Sequence, residues 1–357
     1  MRILTPLLAV AAIVTPAAAS SAVSEPNGRQ AASFSVSGEL QGVAFASPSS
    51  GWAVGSVTDK AGGKTLIERW NGKAWREVPS PSIGANSDLT SVTAVSAANA
   101  WAVGSTGSGK ALILHWNGTR WRQAPTPAIG GYDVLFGVAA TSQRNAWAVG
   151  RVESGPGTRT LILHWNGKAW REQPSPGTGF CEFDGVAASS ATSAWAVGGC
   201  GRTGGTTLVA RWNGSEWQLV PSPSPGDMGS ALYGVAAITD HTAWAVGGTG
   251  RGTLAVRCNG KAWHVVPSPS GGGASALAGL SVVSARNAWA VGSTLNGAKT
   301  MIVHWDGTKW RRVRSTSLDP SANMLFSVAS TSASNAWAVG FAGTRALILH
   351  WNGTAWK

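Results

Sequence analysis

One stretch near the middle of the chain decides its fold: Asn145-Ala-Trp-Ala-Val-Gly150, followed by Trp165-Asn-Gly-Lys-Ala-Trp170. The motif Trp-Ala-Val-Gly occurs seven times, led by Trp52, Trp101, Trp147, Trp195, Trp244, Trp289 and Trp337. A second motif, Trp-Asn-Gly-x-x-Trp, follows each copy, with Cys258 replacing its first Trp once and Asp306 replacing its Asn once. The two motifs account for all 20 Trp residues, so the chain consists of seven copies of a unit of about 47 residues.

Each unit is predicted to form four short strands. In the third unit these are residues 137–141, 145–150, 160–165 and 168–173. The Asn-Gly dipeptide between the last two strands is the strongest short hairpin signal and predicts a two-residue turn with positive φ at both positions. Such a turn pairs Leu163 with Trp170, and it places Leu163, Trp165 and Trp170 on one face. Pro-Ser-Pro runs then end the fourth strand, because Pro cannot donate to a ladder.

A four-stranded sheet of this size cannot bury both of its faces alone, but radial stacking lets each sheet cover its neighbour. The sequence therefore predicts an all-β fold, a seven-bladed β-propeller of four-stranded antiparallel blades. The Trp side chains are expected between the blades. A Trp stripe can also form a sugar-stacking platform, but seven equivalent copies favour packing.

The two ends of the chain complement each other. The last unit stops at Trp356 and Lys357, within its fourth strand. Residues 29–31 (Arg-Gln-Ala) match residues 122–124 (Arg-Gln-Ala), which follow the same Trp position in the second unit. The ring is therefore expected to be closed by the N-terminal segment, residues 31–38, beside the C-terminal strand.

The first residues have the pattern of a secretory signal peptide. Arg2 precedes an apolar run, residues 3–16, and three Ala residues at 17–19 form a small-residue cleavage site. The predicted division is a signal peptide at 1–19, a disordered leader at 20–30 and the propeller at 31–357. The mature chain is expected to be secreted and to have no membrane span, because no later apolar run reaches about 18 residues.

The formal net charge of the chain is +12 at pH 7. In an exported protein this charge does not favour nucleic acid as a partner. It favours an acidic cell-surface polymer, which the summed field of the protein would attract. Colloidal solubility is the alternative reason for such a charge.

The repeat resembles known propeller families. Leu-x-Gly-Val, then Trp-Ala-Val-Gly, then a turn with Gly-x-x-Trp, as at Gly167 and Trp170, is similar to Asp-box (BNR) propellers. That group includes sialidases, sortilin-like receptors and photosystem assembly factors, and kelch propellers are a more distant likeness in period. Trp165 occupies the position of the eponymous Asp, so the resemblance implies the fold and no particular activity.

Acidic residues, among them Glu39, recur just before the predicted first strands, where a propeller gathers its loops at one mouth of the central channel. With Tyr132, six of them form the candidate binding set: Asp88, Asp133, Glu182, Asp184, Asp227 and Asp319. A partial acidic ring suits a cation or a basic ligand, although Asp also serves in turns and caps. No spacing resembles a calcium loop, and no metal site or cofactor is predicted.

The residue before each Trp-Asn-Gly is basic or His, in the order Arg69, His115, His164, Arg211, Arg257, His304 and His350. These positions lie on different blades, so they cannot share one metal ion. They are interpreted as a solvated rim, with Arg211 opposite Glu216 as a cross-strand pair.

The three cysteines have separate roles in this prediction. Cys181 and Cys200 lie across the open end of the first hairpin of the fourth unit, so a disulfide is predicted in an oxidising compartment. Cys258 takes a Trp position and is expected to be a buried, unpaired small hydrophobe.

No catalytic set is recognisable in the sequence. The only tyrosines, Tyr132 and Tyr233, are predicted in connections before first strands, and no arginine cluster of the sialidase kind accompanies them. The sequence favours a secreted, monomeric binding or scaffolding module that meets a glycan, an acidic polymer or a protein at one mouth of the channel. The alternatives are an extracellular hydrolase or lyase acting on polysaccharide, with carboxylates from these loops, and a lectin.

Overall fold

The computed structural model describes residues 37–59, 62–155, 157–201, 205–226, 228–273, 275–294 and 298–357. These residues form an all-β structure, and none of them belongs to a helix that could cross a membrane. The predicted signal peptide, the leader and residues 31–36 of the closing segment lie outside the described residues, as does Asp227.

The described strands are arranged as seven blades, each numbered in chain order from its first strand outward. The first strands are β1 (Glu39–Ser47), β5 (Asp88–Ser96), β9 (Tyr132–Ser142), β13 (Cys181–Ser190), β17 (Ser230–Ala237), β21 (Ala276–Ser284) and β25 (Asn323–Ser332). Each first strand also lies beside the first strands of both neighbouring blades, so together they form an inner ring around the channel.

The second and third strands lie progressively farther from the channel. The second strands carry Trp-Ala-Val-Gly: β2 (Ser50–Asp59), β6 (Asn99–Ser105), β10 (Asn145–Ser154), β14 (Ser193–Cys200), β18 (Thr242–Thr249), β22 (Asn287–Ser293) and β26 (Asn335–Ala342). The third strands are β3 (Gly62–Trp70), β7 (Ala111–Trp116), β11 (Gly157–Trp165), β15 (Thr206–Trp212), β19 (Gly252–Asn259), β23 (Thr300–Trp305) and β27 (Arg345–Trp351).

The fourth strands are short edge strands on the outer circumference. They are β4 (Trp75–Glu77), β8 (Trp121–Gln123), β12 (Trp170–Glu172), β16 (Trp217–Leu219), β20 (Trp263–Val265) and β24 (Trp310–Val313). In the seventh blade the fourth strand is reduced to an antiparallel bridge between Trp351 and Trp356. Blades 5 and 6 form one continuous sheet because Gly248 pairs with Ala276 across the blade boundary.

Seven hydrophobic clusters lie between the seven blades, one at each interface. The seventh joins the last blade to the first, with Trp337 and Ile348 packed against Leu40 and Trp75. At the same junction Ser37 pairs with the first residue of β27. The ring is therefore closed, and the predicted seven-bladed propeller with burial between blades is confirmed.

The Trp side chains contact each other across every interface. The Trp of Trp-Ala-Val-Gly meets the last Trp of the second motif in the next blade, edge to face, as with Trp101 and Trp170 at 5.2 Å between centroids and 88° between planes. Both indole N–H groups of this pair are buried without a hydrogen-bond partner among the described residues. The edge-to-face contact favours such a pair electrostatically, because the positive edge of one ring meets the negative face of the other.

The predicted turn between the third and fourth strands is wrong by two residues. Trp165 pairs with Trp170, and Leu163 pairs with Glu172, so four residues rather than two form the connection. The side-chain oxygen of Asn166 accepts hydrogen bonds from the amides of Lys168 and Ala169, at 3.0 and 3.1 Å. This Asx turn needs positive φ at Gly167 alone. The pairing differs from the prediction by two residues, and an even shift leaves each side chain on the same face of the sheet. The prediction that Leu163, Trp165 and Trp170 share a face therefore still holds.

The basic and His side chains before Trp-Asn-Gly do not form the predicted solvated rim. The strand register sets each of them directly opposite a Trp, so that His115 stacks on Trp101 at 4.1 Å and the Arg69 guanidinium lies 5.3 Å from the Trp52 centroid. Burial lowers the pKa of all four histidines at this position: His115, His164, His304 and His350.

The predicted cross-strand pair of Arg211 and Glu216 is also wrong. Arg211 pairs with Gln218, because the connection is two residues longer than predicted. Its Nη2 donates instead to the backbone oxygen of Asp240, at 2.9 Å.

Candidate functional site

In every first strand, one residue near the start of the strand has no partner on the second strand. Leu40 pairs with Gly55 and Gly42 with Val54, so Gln41 is an unpaired bulge. The same shift recurs in all seven blades. We call the seven bulged residues the bulge ring: Gln41, Thr90, Phe136, Asp184, Tyr233, Ala278 and Phe326.

The Gly of Trp-Ala-Val-Gly allows this bulge to form. A Cβ atom at Gly150 would lie 1.9 Å from the carbonyl oxygen of Val134, and a Cβ at Gly340 would lie 1.8 Å from that of Met324. The other five motif glycines are in equally close contact with the first strand. The repeated Gly therefore reflects a close backbone approach rather than a turn.

The residue after the bulge packs against the next blade. A Cβ at Gly185 would lie 2.7 Å from the backbone oxygen of Tyr233, and one at Gly279 would lie 2.7 Å from the Cα of Ser327. In two blades this residue is Ser, and Ser91 Oγ accepts a hydrogen bond from the amide of Val138 in the next blade, at 3.3 Å. The inner strands are thus closely packed around the channel.

The bulge ring lines the channel with side chains that differ from blade to blade. Each bulged residue is half-buried, and the residue before it, such as Leu40 or Phe183, is fully buried between blades. Sequence identity is strict in the neighbouring Trp-Ala-Val-Gly, yet the bulge ring contains Gln, Thr, Phe, Asp, Tyr and Ala. Since the fold does not require any one of these side chains, this variation marks the channel wall as the candidate functional site.

A second ring of positions lies two residues earlier on the same strands. We call it the mouth ring: Glu39, Asp88, Val134, Glu182, Ala231, Ala276 and Met324. Its members pair with the residue after the motif Gly: Ser56, Ser105, Arg151, Gly199, Gly248, Ser293 and Phe341. The bulge ring, the mouth ring and the seven residues that pair with the mouth ring together form what we call the wall of the mouth.

This wall is divided into two sectors. Blades 1 to 4 form a charged sector with the carboxylates of Glu39, Asp88, Glu182 and Asp184 and the guanidinium of Arg151. Blades 5 to 7 form an uncharged sector, because none of their nine wall positions carries a charged side chain. Tyr233, Phe326 and Phe341 supply the aromatic surface of the uncharged sector, and Phe326 contacts Phe341 at 5.8 Å between centroids.

Arg151 is held by three side chains: Glu182 and Phe136 of the charged sector, and Glu153, which lies two residues later on β10. Its Nη1 donates to Glu182 at 2.6 Å, its Nη2 lies 2.8 Å from Glu153, and its guanidinium carbon lies 5.5 Å from the ring centroid of Phe136. A guanidinium is thus bound by carboxylates and an aromatic ring at the wall itself.

Asp184 lies on β13, the first strand of blade 4, in the charged sector. Burial, together with the charge of Glu182, raises its pKa well above the usual value, and Arg151 opposes this shift. Burial also raises the pKa of Tyr233, which stands on the neighbouring blade, and the charges of Asp184 and Glu182 add to the effect. The Asp184 carboxylate and the Tyr233 hydroxyl make no side-chain hydrogen bond within the described part of the chain.

The carboxylates of blades 1 and 2 have local partners. Gln41 Nε2 donates to Glu39 at 2.6 Å, and Ser105 Oγ donates to Asp88 at 2.6 Å. Burial raises the pKa of both carboxyl groups, and Asp88 raises that of Glu39 further.

The structure separates the sequence-predicted residues into two groups. Asp88, Glu182 and Asp184 lie together in the charged sector, and Asp133, Asp319 and Tyr132 do not belong to the wall. Asp133 is buried and accepts a hydrogen bond from the amide of Ala111 at 2.9 Å, and Asp319 accepts from the amides of Ser321 and Ala322. Tyr132 is exposed at the start of β9.

Sequence reasoning missed several residues of the wall, chiefly Arg151, Phe136 and Phe326. Tyr233 was also misplaced, because it lies within β17 and not in a connection before it. The sequence does contain a signal for the bulge ring. When the seven units are aligned, the position before the inner Gly or Ser differs from unit to unit, whereas the neighbouring motif is constant. Among the described residues, no group of His, Cys, Asp or Glu is arranged to hold a metal ion.

The cysteine predictions are confirmed by the geometry of blade 4. Cys181 and Cys200 are direct partners on β13 and β14, and a disulfide joins them. The disulfide ties down the end of the strand that carries Glu182 and Asp184. Cys258 is buried and free.

No protein family model matches this sequence, and none of the curated proteins is similar to it at the sequence level. Solved structures with the same fold include YCF48 bound to a D1 peptide, at 15% identity and a TM-score of 0.60, covering 92% of this chain and 97% of that one. Sqt1 of Chaetomium thermophilum, bound to the N-terminus of ribosomal protein L10, is 11% identical with a TM-score of 0.56, covering 90% and 86%.

A third similar structure is the WD40 β-propeller domain of Doa1, at 10% identity and a TM-score of 0.59, covering 88% of this chain and 94% of that one. Likeness at such low identity shows the fold alone. The chain is a β-propeller repeat protein.

Proposed function

We propose that this protein is a secreted binding module that holds a peptide segment of a partner protein at the mouth of its channel. The observation that carries the proposal is the variation of the bulge ring within an otherwise strict repeat. A purely structural wall would repeat as the Trp positions do, whereas a wall that recognises one asymmetric ligand needs a different side chain on each blade.

Two of the similar propellers support a peptide as the ligand. YCF48 was solved with a D1 peptide and Sqt1 with the N-terminus of a ribosomal protein. The wall offers what an extended segment needs, since it combines aromatic side chains with a few polar groups in a concave site. The predicted signal peptide supports secretion.

Panning a library of displayed random 12-residue peptides against the immobilised full-length mature protein tests this function. The enriched peptides are then measured against the double variant Tyr233→Ala/Phe326→Ala, which removes two aromatic rings from the wall. The control Leu219→Ala/Val265→Ala removes two apolar side chains, 52% and 46% exposed, from the outer strands of blades 4 and 5. We expect binding to be lost in the first variant and kept in the second. No enrichment, or equal binding by both variants, would contradict the proposal.

A further inference from the structure

The charge of the channel wall is opposite to that of the whole protein. The chain has 28 Lys and Arg residues against 16 Asp and Glu residues. The wall of the mouth nevertheless has four carboxylates, Glu39, Asp88, Glu182 and Asp184, and one guanidinium, Arg151. An excess of acid at this one place in a basic protein gives the mouth a field that attracts cations and repels anions.

Basic residues stand at or near the start of the third strands, farther from the axis: Lys64, Lys110, Arg159, Arg251, Lys299 and Arg345. Two members of this outer set are paired with carboxylates, Lys110 with Asp133 at 3.4 Å and Arg159 with Glu172 at 2.7 Å. A single cationic side chain that enters the mouth would pass inside this set and reach the carboxylates of the wall.

Asp184 is the group that such a cation would satisfy. Its carboxylate is half-buried on the bulge of β13, and it makes no side-chain hydrogen bond with any described residue. Its charge is destabilised by burial and by Glu182, so an additional cation beside it removes an unfavourable interaction in the free protein. Tyr233, on the adjacent blade, adds an aromatic face and a hydroxyl that has no hydrogen-bond partner among the residues described.

The protein already shows this mode of recognition with its own Arg151. That guanidinium lies between Glu182 and Glu153 and over the ring of Phe136, one blade before Asp184. Asp184 and Tyr233 repeat the same pair of chemical groups, a carboxylate and an aromatic ring, on the next two blades. Within the described part of the chain Asp184 has no ion-pair partner, although Arg151 acts on its pKa from farther away.

From these observations, and resting on the proposed function, we infer that the bound segment carries a lysine or arginine side chain that lies against Glu182 and Asp184. A neighbouring apolar side chain of the segment packs in the uncharged sector, against Tyr233 and Phe326. The division of the wall into two sectors fixes the direction in which the segment lies across the mouth.

The same peptide selection tests the chemistry separately from the function. We expect the enriched peptides to share one Lys or Arg beside an apolar residue. The tightest peptide is then synthesised in two forms, with its basic residue intact or replaced by a neutral isostere, citrulline for Arg or norleucine for Lys. Isothermal titration should show at least about tenfold weaker binding of the neutral form to the wild-type protein.

The variant Asp184→Asn assigns the contact. The variant should bind the basic peptide about tenfold more weakly than the wild type does, and it should bind the basic and neutral peptides with similar affinity. That result is expected if Asp184 contacts the basic side chain directly. The matched control is Asp306→Asn, which also removes one negative charge but creates the Asn that the other six units have at this turn. Melting temperatures of both variants verify that they are folded.

Two outcomes overturn the inference, and they differ in what they say about function. Enriched peptides that lack a basic residue, or an unchanged preference for the basic form in Asp184→Asn, would refute the cationic contact and leave peptide binding intact. A selection that enriches no peptide at all would refute both proposals.

Discussion

At the scale of single residues, Glu68 is the clearest departure from the repeat outside the channel. It lies on the face of β3 that packs against blade 7 and is 2% exposed, and its Oε2 has no hydrogen-bond partner among the described residues. The other six units have apolar residues here: Leu114, Leu163, Ala210, Val256, Val303 and Leu349. Burial raises the pKa of Glu68 to about 7, and the charge of Glu77, its cross-strand partner, adds to the shift.

This raised pKa makes the stability of the protein depend on pH in a defined direction. The folded state binds the proton more tightly than the unfolded state, so the free energy of unfolding falls as the pH rises from about 4.5 to about 7. We expect Glu68→Leu to melt at a higher temperature than the wild type, with a difference that grows between pH 5 and pH 8. Since one pKa unit corresponds to about 1.4 kcal/mol, the difference in the free energy of unfolding between the variant and the wild type should approach about 3 kcal/mol at pH 8.

Thermal unfolding monitored by circular dichroism at several pH values checks this. The control is Glu216→Gln, which neutralises an exposed carboxyl group in an outer connection and should leave the melting curves nearly unchanged. A stabilisation by Glu68→Leu that is the same at pH 5 and pH 8 would show that packing alone, and not the buried charge, is responsible.

At the scale of the strand, the inner ring depends on glycines that follow the bulge. A Cβ added at Gly279 would lie 2.7 Å from the backbone oxygen of Phe326 in the next blade. We expect Gly279→Ala to lower the free energy of unfolding by about 1–3 kcal/mol, because two backbone segments must separate.

The matched control for this change is Gly157→Ala in β11. There the nearest atom to an added Cβ is 4.0 Å away, on the ring of Phe180, and the backbone φ is not in the left-handed region. Denaturant titration should show Gly157→Ala to be neutral or slightly stabilising, since Ala restricts the unfolded chain. Equal destabilisation by both changes would mean that the loss of Gly itself, rather than the close approach of the blades, sets the cost.

The same strands show what the sequence could and could not predict. The period, the four strands per unit and the disulfide followed from spacing, because each depends on contacts between residues close in the chain. The bulge did not, since a one-residue insertion in β13 shifts the strand pairing by a single residue. The numbers of the paired residues add up to 382 at Ala187 and Trp195 and to 381 at Cys181 and Cys200. Without the bulge, the positions of Asp184 and Tyr233 in the bulge ring could not be derived, and the candidate site was therefore identified only in part.

At the scale of the whole molecule, stability depends on the seventh interface. The other six interfaces join blades that follow each other in the chain, whereas the seventh joins residues about 300 positions apart and has the highest cost of loop closure. Ser37 pairs with Arg345 there, and the amide of Gly38 donates to the oxygen of Thr344 at 2.9 Å. Among the described residues, the rest of the outer edge of β27 is paired through the bridge at Trp356 and the backbone hydrogen bonds between His350 and Lys357.

Removing the N-terminal segment should therefore weaken the whole ring and not one blade. We expect deletion of residues 20–38 to lower the melting temperature by more than about 5 °C, because each interface supports its two neighbours. Deletion of residues 20–30, the predicted leader, is the control and should leave the melting temperature unchanged. Equal melting temperatures for the two deletions would show that the ring is held by the packing of Trp337 and Ile348 on Leu40 and Trp75 alone, without a contribution from the segment before Glu39.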